Sequence, residues 1–127
     1  MKVEVECDPS LDACTIRHEQ VHLESSDDVA EWRRLVMGRL QAALGSRRAY
    51  LLVDYRGFNV NPIMADAYGE VAEEVRSRFA KDVFRYGVRD PLSSASARLQ
   101  SLKRAHRSNV FATREEAIQA LNKARGR

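Results

Sequence analysis

Polar and apolar residues alternate at the start of the chain. Val3, Val5 and Cys7 stand between Lys2, Glu4 and Glu6, the period-two pattern of a half-buried strand. Asp8-Pro9-Ser10 breaks the pattern. Alternation resumes with Cys14, Ile16 and His18, shifts phase at Glu19-Gln20 and continues through Val21 and Leu23. The two runs predict a hairpin whose second strand carries a bulge or a tight bend. Ser25-Ser26-Asp27-Asp28 offers capping hydroxyls and first-turn carboxylates. Val29, Trp32, Val36, Leu40 and Leu44 then recur at helical spacing until Gly45, which predicts an amphipathic helix with Leu35 at the edge of its apolar stripe.

Tyr50-Leu51-Leu52-Val53 is a nearly continuous apolar run that suits a central strand covered on both faces. It runs into a polar turn, after which Asn61 can cap and Pro62 can open a helix with Met64, Tyr68, Val71, Val75 and Phe79 on its buried side. Phe84, Tyr86 and Val88 alternate as a further strand. Asp90-Pro91 repeats the cap-then-proline start, ahead of Leu92, Ala95, Leu99 and Leu102. Asn109-Val110-Phe111 has room only for a terminal strand, and Thr113-Arg114-Glu115-Glu116 is a capping box before a last helix with Ala117, Ile118 and Leu121 inward. The order ββαβαβαβα predicts an α/β fold: a mixed, mostly parallel five-stranded sheet packed against about four helices.

A chain of 127 residues, 44% hydrophobic, has enough interior for one core, so a single domain over residues 1–127 is expected. No apolar run approaches the ~20 residues that span a bilayer, and the opening MKVEVECDPS carries acids where a signal peptide is apolar. These features predict a cytoplasmic protein with no membrane partner. In that compartment Cys7 and Cys14 are expected as reduced, small core residues, although they flank the hairpin loop closely enough to pair.

Charge is uneven along the chain. Residues 1–31 hold two basic and nine acidic side chains, and residues 76–127 hold thirteen basic and four acidic. Such a dipolar chain could attract an acidic partner, bind nucleic acid weakly, or pair head to tail as a homodimer. Arg85, Arg89, Arg98, Arg104 and Arg107 would form the basic face, but no aromatic ladder accompanies them to stack bases. His106, among Lys103, Arg104 and Arg107, reads as a cation at a helix C-terminus.

His18-Glu19-Gln20-Val21-His22 matches the HExxH zinc pattern, which needs a helix to aim both rings at one ion. On a strand the two residues stand about 13 Å apart, too far to share it. Neither these histidines nor the two cysteines complete a metal motif, and no nucleophile elbow or phosphate-binding glycine loop is present. The expectation is a non-enzymatic chain without cofactor or metal. Asp54, at the carboxyl end of the central strand, lies where α/β proteins place ligands, and hydrogen bonding to the Arg56-Gly57 turn is its expected role.

The segment Leu51-Leu52-Val53-Asp54-Tyr55-Arg56-Gly57, the Asp8-Pro9 hairpin turn and the closing Val110-Phe111-Ala112-Thr113-Arg114-Glu115-Glu116-Ala117 with Leu121 together resemble the STAS family, named for sulphate transporters and anti-sigma-factor antagonists. The likeness is greatest to its stand-alone, SpoIIAA-like bacterial members. It implies regulation through protein contacts, with a kinase-like anti-sigma factor as the expected kind of partner. In switch-type members a serine near the start of the helix after this strand is phosphorylated; here Asn59-Val60-Asn61-Pro62-Ile63-Met64 offers no hydroxyl, and Ser93 and Ser94 are the nearest. The expected partner-binding surface is therefore Asp54, Arg56, Phe58, Asn59 and Asn61, with Phe58 as an apolar anchor, extended by Ser93 and Ser94. The competing reading is a carrier of a lipid or an anion, lined by Met64, Tyr68 and Phe79.

Overall fold

The computed structural model describes residues 1–87 and 109–126. Its strands are β1 (Lys2–Asp8), β2 (Ala13–Glu19), β3 (Val21–Leu23), β4 (Ala49–Asp54), β5 (Phe58–Val60), β6 (Ala80–Tyr86) and β7 (Val110–Phe111), and its helices α1 (Ser26–Leu44), α2 (Ala65–Phe79) and α3 (Arg114–Arg125). Five strands form a mixed sheet in the order β1-β2-β4-β6-β7. The β1–β2 hairpin is antiparallel and the remaining pairings are parallel, as expected once strands and helices alternate. The helix predicted after Asp90-Pro91 lies outside the described residues, as do Val88, Arg89, Ser93, Ser94, Arg98, Arg104, His106 and Arg107.

Local chemistry accounts for the helix ends. The Ser25 hydroxyl accepts from the Asp28 amide at 3.2 Å while the Asp28 carboxylate accepts from the Glu24 amide at 2.9 Å, so one orphaned donor of α1 and the amide just ahead of its cap are both satisfied. At α3 the Thr113 hydroxyl caps by accepting from the Glu116 amide and donates to the Glu116 carboxylate. Asn61 caps as expected, its Oδ1 accepting from the Ile63 amide at 3.0 Å, although the proline opens a short 3-10 turn, Pro62–Met64, before α2 begins.

The central strand separates two cores. Leu51 and Val53 face α1 and α2 in a large cluster with Ile16, Trp32, Val36, Tyr68, Val75, Phe79 and Val83. Leu52 faces the other way, with Ala13, Phe84, Tyr86 and the α3 residues Ala117 and Leu121. A strand buried on both sides reads as a continuous apolar run for this reason. Leu35 is half-buried against the larger core rather than exposed.

Three expectations are corrected. The predicted second strand is two strands: Gln20 adopts a φ of +51°, and this one-residue kink restores the inward face after the phase shift, so that β3 leaves the main sheet and pairs in parallel with β5. The turn after Asp54 therefore contains a strand, with Val21 opposite Phe58 and Leu23 opposite Val60. Finally, Cys7 and Cys14 form a disulfide, because the hairpin register sets them directly opposite one another.

Candidate functional site

The chain leaves β4 through Asp54-Tyr55-Arg56-Gly57, and each of these residues is held in place. The buried Asp54 carboxylate accepts from the Arg56 backbone amide at 2.9 Å, and from its Nε and Nη2 at 3.0 and 2.6 Å. Burial works to raise the Asp54 pKa, but the Arg56 hydrogen bonds and charge outweigh it and hold the carboxyl below its ordinary range. The turn-bonding role expected for Asp54 is the one observed. Gly57 has a φ of +76°, and Gly87, at φ +78°, lies close against Asp54 and the Arg56 side chain.

Behind the turn, His18 donates from Nδ1 to the Asp54 carbonyl at 2.7 Å; since a carbonyl can only accept, the proton is on Nδ1. Its ring packs among Trp32, Tyr55 and Phe58. Burial lowers its pKa below the ordinary imidazole value, against the opposing pull of the Asp54 carbonyl and carboxylate. The sequence signal for this role was present, because His18 continues the inward phase of Cys14 and Ile16. His22 lies beyond the kink on β3 and is exposed, so the HExxH residues do not converge. No cluster of three or more potential metal ligands occurs among the described residues.

The neutral buried histidine makes stability depend on pH. Its folded pKa is depressed, so the unfolded chain binds the proton first as pH falls. Stability should therefore be at its plateau above about pH 6.5 and decline below it until the folded pKa is passed. Urea denaturation between pH 8 and pH 5 checks this, with His18→Phe expected to flatten the decline; an equal slope in the variant would assign the decline to another group.

The other predicted site residues divide into outward and inward groups. Arg56 keeps its side chain 61% exposed while tethered to Asp54, and Asn59 is exposed on β5. Asn61 is half-buried, bonding Glu24 as well as the Ile63 amide. Phe58 is 9% exposed and packs on His18, Trp32, Tyr55 and Tyr68; it cannot be the expected anchor, because the β3–β5 pairing turns it inward. Ile63, absent from the predicted site, is 81% exposed. Its signal was its position off the apolar stripe that begins at Met64. Arg85 also differs from expectation: it is 6% exposed and takes no part in a basic surface. Of the proposed carrier lining, Tyr68 borders a cavity of about 30 Å³ between the sheet, α1 and α2, together with Trp32, Tyr55, Ala72, Arg76 and Arg85.

No family model and no curated protein matches the chain. The fold is shared with part of a solved anion transporter. The structure of murine Solute Carrier 26 family member A9 (Slc26a9) anion transporter in the inward-facing state matches with a TM-score of 0.65 at 11% identity, over 88% of this chain. The chain spans 18% of that transporter's length. Among the described residues no helix is long and apolar enough to cross a membrane.

Proposed function

We propose that this chain is a STAS-type regulatory module, non-enzymatic and cytoplasmic, that binds a protein partner through the turn joining β4 to α2. The observation that carries this reading is the exposure of Ile63 on the capped turn that opens α2, with the tethered Arg56 guanidinium exposed earlier in the same connection. An apolar side chain carried on a capped turn needs little backbone ordering on docking, the usual character of an interface anchor. The partner that fits presents an apolar pocket for Ile63 and a carboxylate for Arg56, and a kinase-like anti-sigma factor is the candidate class. The likeness to a portion of an anion transporter supports the reading, since the STAS family takes its name from transporters as well as from antagonists. The first helical turn of Asn61-Pro62-Ile63-Met64 carries no hydroxyl, so phosphorylation at that turn forms no part of the mechanism. The carrier alternative is less well supported, because the cavity bordered by Tyr68, about 30 Å³, is far too small for a lipid chain.

A photo-crosslinking amino acid at position 63 tests the proposal in cells. The expected result is one discrete crosslinked protein, lost when Arg56→Glu is added and absent when the probe stands at Gln119 on the far helix. Equal crosslinking from positions 63 and 119, or indifference to Arg56→Glu, would refute this surface.

A further inference from the structure

We propose that the start of α3, together with Thr15 and Tyr86, binds a single carboxylate group. These residues meet toward the carboxyl ends of the parallel strands, on the face of the sheet that α3 covers, where α/β proteins place ligands. Thr15 on β2 lies opposite Leu52 on β4, and Leu52 opposite Phe84 on β6, so alternation puts Thr15, Leu52, Phe84 and Tyr86 on one face. Arg114 opens α3 and reaches over that face, its Nη2 3.5 Å from the Thr15 hydroxyl. Two buried polar atoms here have no hydrogen-bond partner, the Tyr86 hydroxyl and the Arg114 Nε. Tyr86 is 2% exposed. Burial raises the pKa of its phenol, and the Arg114 guanidinium stands near enough to oppose that rise.

The two unpartnered atoms define what fits between them. A guanidinium Nε–H only donates and a phenol can donate as well, so one acceptor group satisfies both. A carboxylate offers two acceptor oxygens and makes charge-assisted bonds to a guanidinium. The surrounding charges limit the ligand to one negative charge. Arg17 and Arg56 are paired with Glu6 and Asp54, whereas Arg114 forms no ion pair among the described residues. Asp8 lies within electrostatic reach of Arg114, and Asp54 within reach of Tyr86, while Glu115 stands near Arg56. These carboxylates would repel a phosphate dianion more than a monoanion. Thr113 and Glu115 are exposed and Arg114 is half-buried, so the site is reached from solvent at the helix start. It does not depend on the docking surface at Ile63, and either proposal can fail without the other.

Titration of the nitrogen-15-labelled intact protein with sodium acetate, balanced with sodium chloride at fixed ionic strength, tests the site by NMR. The Arg114 Nε–H signal, assigned by its loss in Arg114→Gln, is expected to shift saturably with acetate. Tyr86→Phe removes only the hydroxyl and should weaken the apparent affinity about tenfold, the worth of one hydrogen bond to a charged group. Arg47→Gln, at an exposed arginine, should leave it unchanged. N-acetylglycylglycine separates the sources of the group: tighter binding than acetate assigns a peptide C-terminus, and equal binding a free small acid. Saturation by the corresponding dipeptide amide would overturn the proposal, because the charge would then play no part. Shifts that are linear in acetate, as a water on the two donors would give, would overturn it too, as would wild-type affinity in folded Tyr86→Phe. Where Tyr86→Phe does not fold, Arg114→Gln decides: the acetate-dependent shifts of the Thr113 and Glu115 backbone amides should disappear, and their persistence would sink the site.

Discussion

Replacing Gly57 with alanine should destabilise the protein by about 2–4 kcal/mol and lower its melting temperature by roughly 10 °C. Two costs combine. At φ +76° the backbone is left-handed, which costs a residue bearing a Cβ roughly 1–2 kcal/mol. The added atom would also stand 2.6 Å from the His18 carbonyl oxygen and 3.3 Å from its carbonyl carbon. Both are backbone atoms, so no rotamer change relieves the contact, and the chain itself must move. The movement is resisted because the Gly57 carbonyl accepts from the Val21 amide at 2.9 Å and starts the β3–β5 ladder. Gly38→Ala is the control of opposite sign: it lies within α1 with nothing within 4 Å of an added Cβ, so it should stabilise by up to about 1 kcal/mol through helix propensity. Thermal denaturation of the two variants measures the contrast. A Gly57→Ala protein as stable as the wild type would mean that the turn does not press against His18.

The success of the sequence pattern depended on how local each determinant is. The hairpin, α1, the central strand and the capped starts at Asn61 and Thr113 are written in neighbouring residues, through alternation, helical spacing and side chains that bond an amide two or three positions away. Phe58-Asn59-Val60 was not legible, because three residues between a turn and a proline show no period. Their strand character comes from Val21 to Leu23, far away in sequence. That pairing buries Phe58 and so removes the apolar anchor that a turn position had suggested. Arg85 failed for a different reason. Phe84 and Tyr86 mark one buried phase of β6, and the intervening arginine was assigned to solvent, but β6 is covered on both faces and the second phase is buried as well. The expected compartment argues for reduced cysteines, whereas their pairing follows from register. Ile63 was readable as a hydrophobic residue off its stripe, and only the cap geometry shows that it projects outward.

The same turn joins the elements whose residues were hardest to assign. His18 binds the carbonyl of Asp54, Asp54 binds the amide and guanidinium of Arg56, and Tyr55 between them reaches Tyr68 on α2. Side chains on both faces of the sheet are thus tied to the short connection Tyr55-Arg56-Gly57. A partner pressing on Arg56 would act on that connection. Its glycine, buried histidine and paired carboxylate limit how far it can move.

Leu51→Ala should produce the other large effect, a loss of about 3–5 kcal/mol in the unfolding free energy. Leu51 is fully buried on the middle strand of the sheet, paired with Cys14 on one side and Val83 on the other. Truncation leaves a void where neighbours cannot close in, because both flanking strands are fixed by their ladders. Leu51 also borders the existing cavity, so the new void joins the old one, and the cost of such substitutions rises with the cavity that remains. Leu52→Ala removes the same atoms one residue along but opens the smaller core under α3, where that helix can settle inward. It should cost about 2–3 kcal/mol, toward the low end of buried leucine truncations. Guanidinium denaturation of both variants gives the comparison, with equal slopes expected if the unfolded states match. A Leu51→Ala loss below about 1 kcal/mol would be outside the range for a buried leucine and would remove β4 from the centre of the sheet, and with it the anchoring assigned to the Asp54 turn. A Leu52→Ala loss exceeding that of Leu51→Ala would instead make the α3 face the better-packed core.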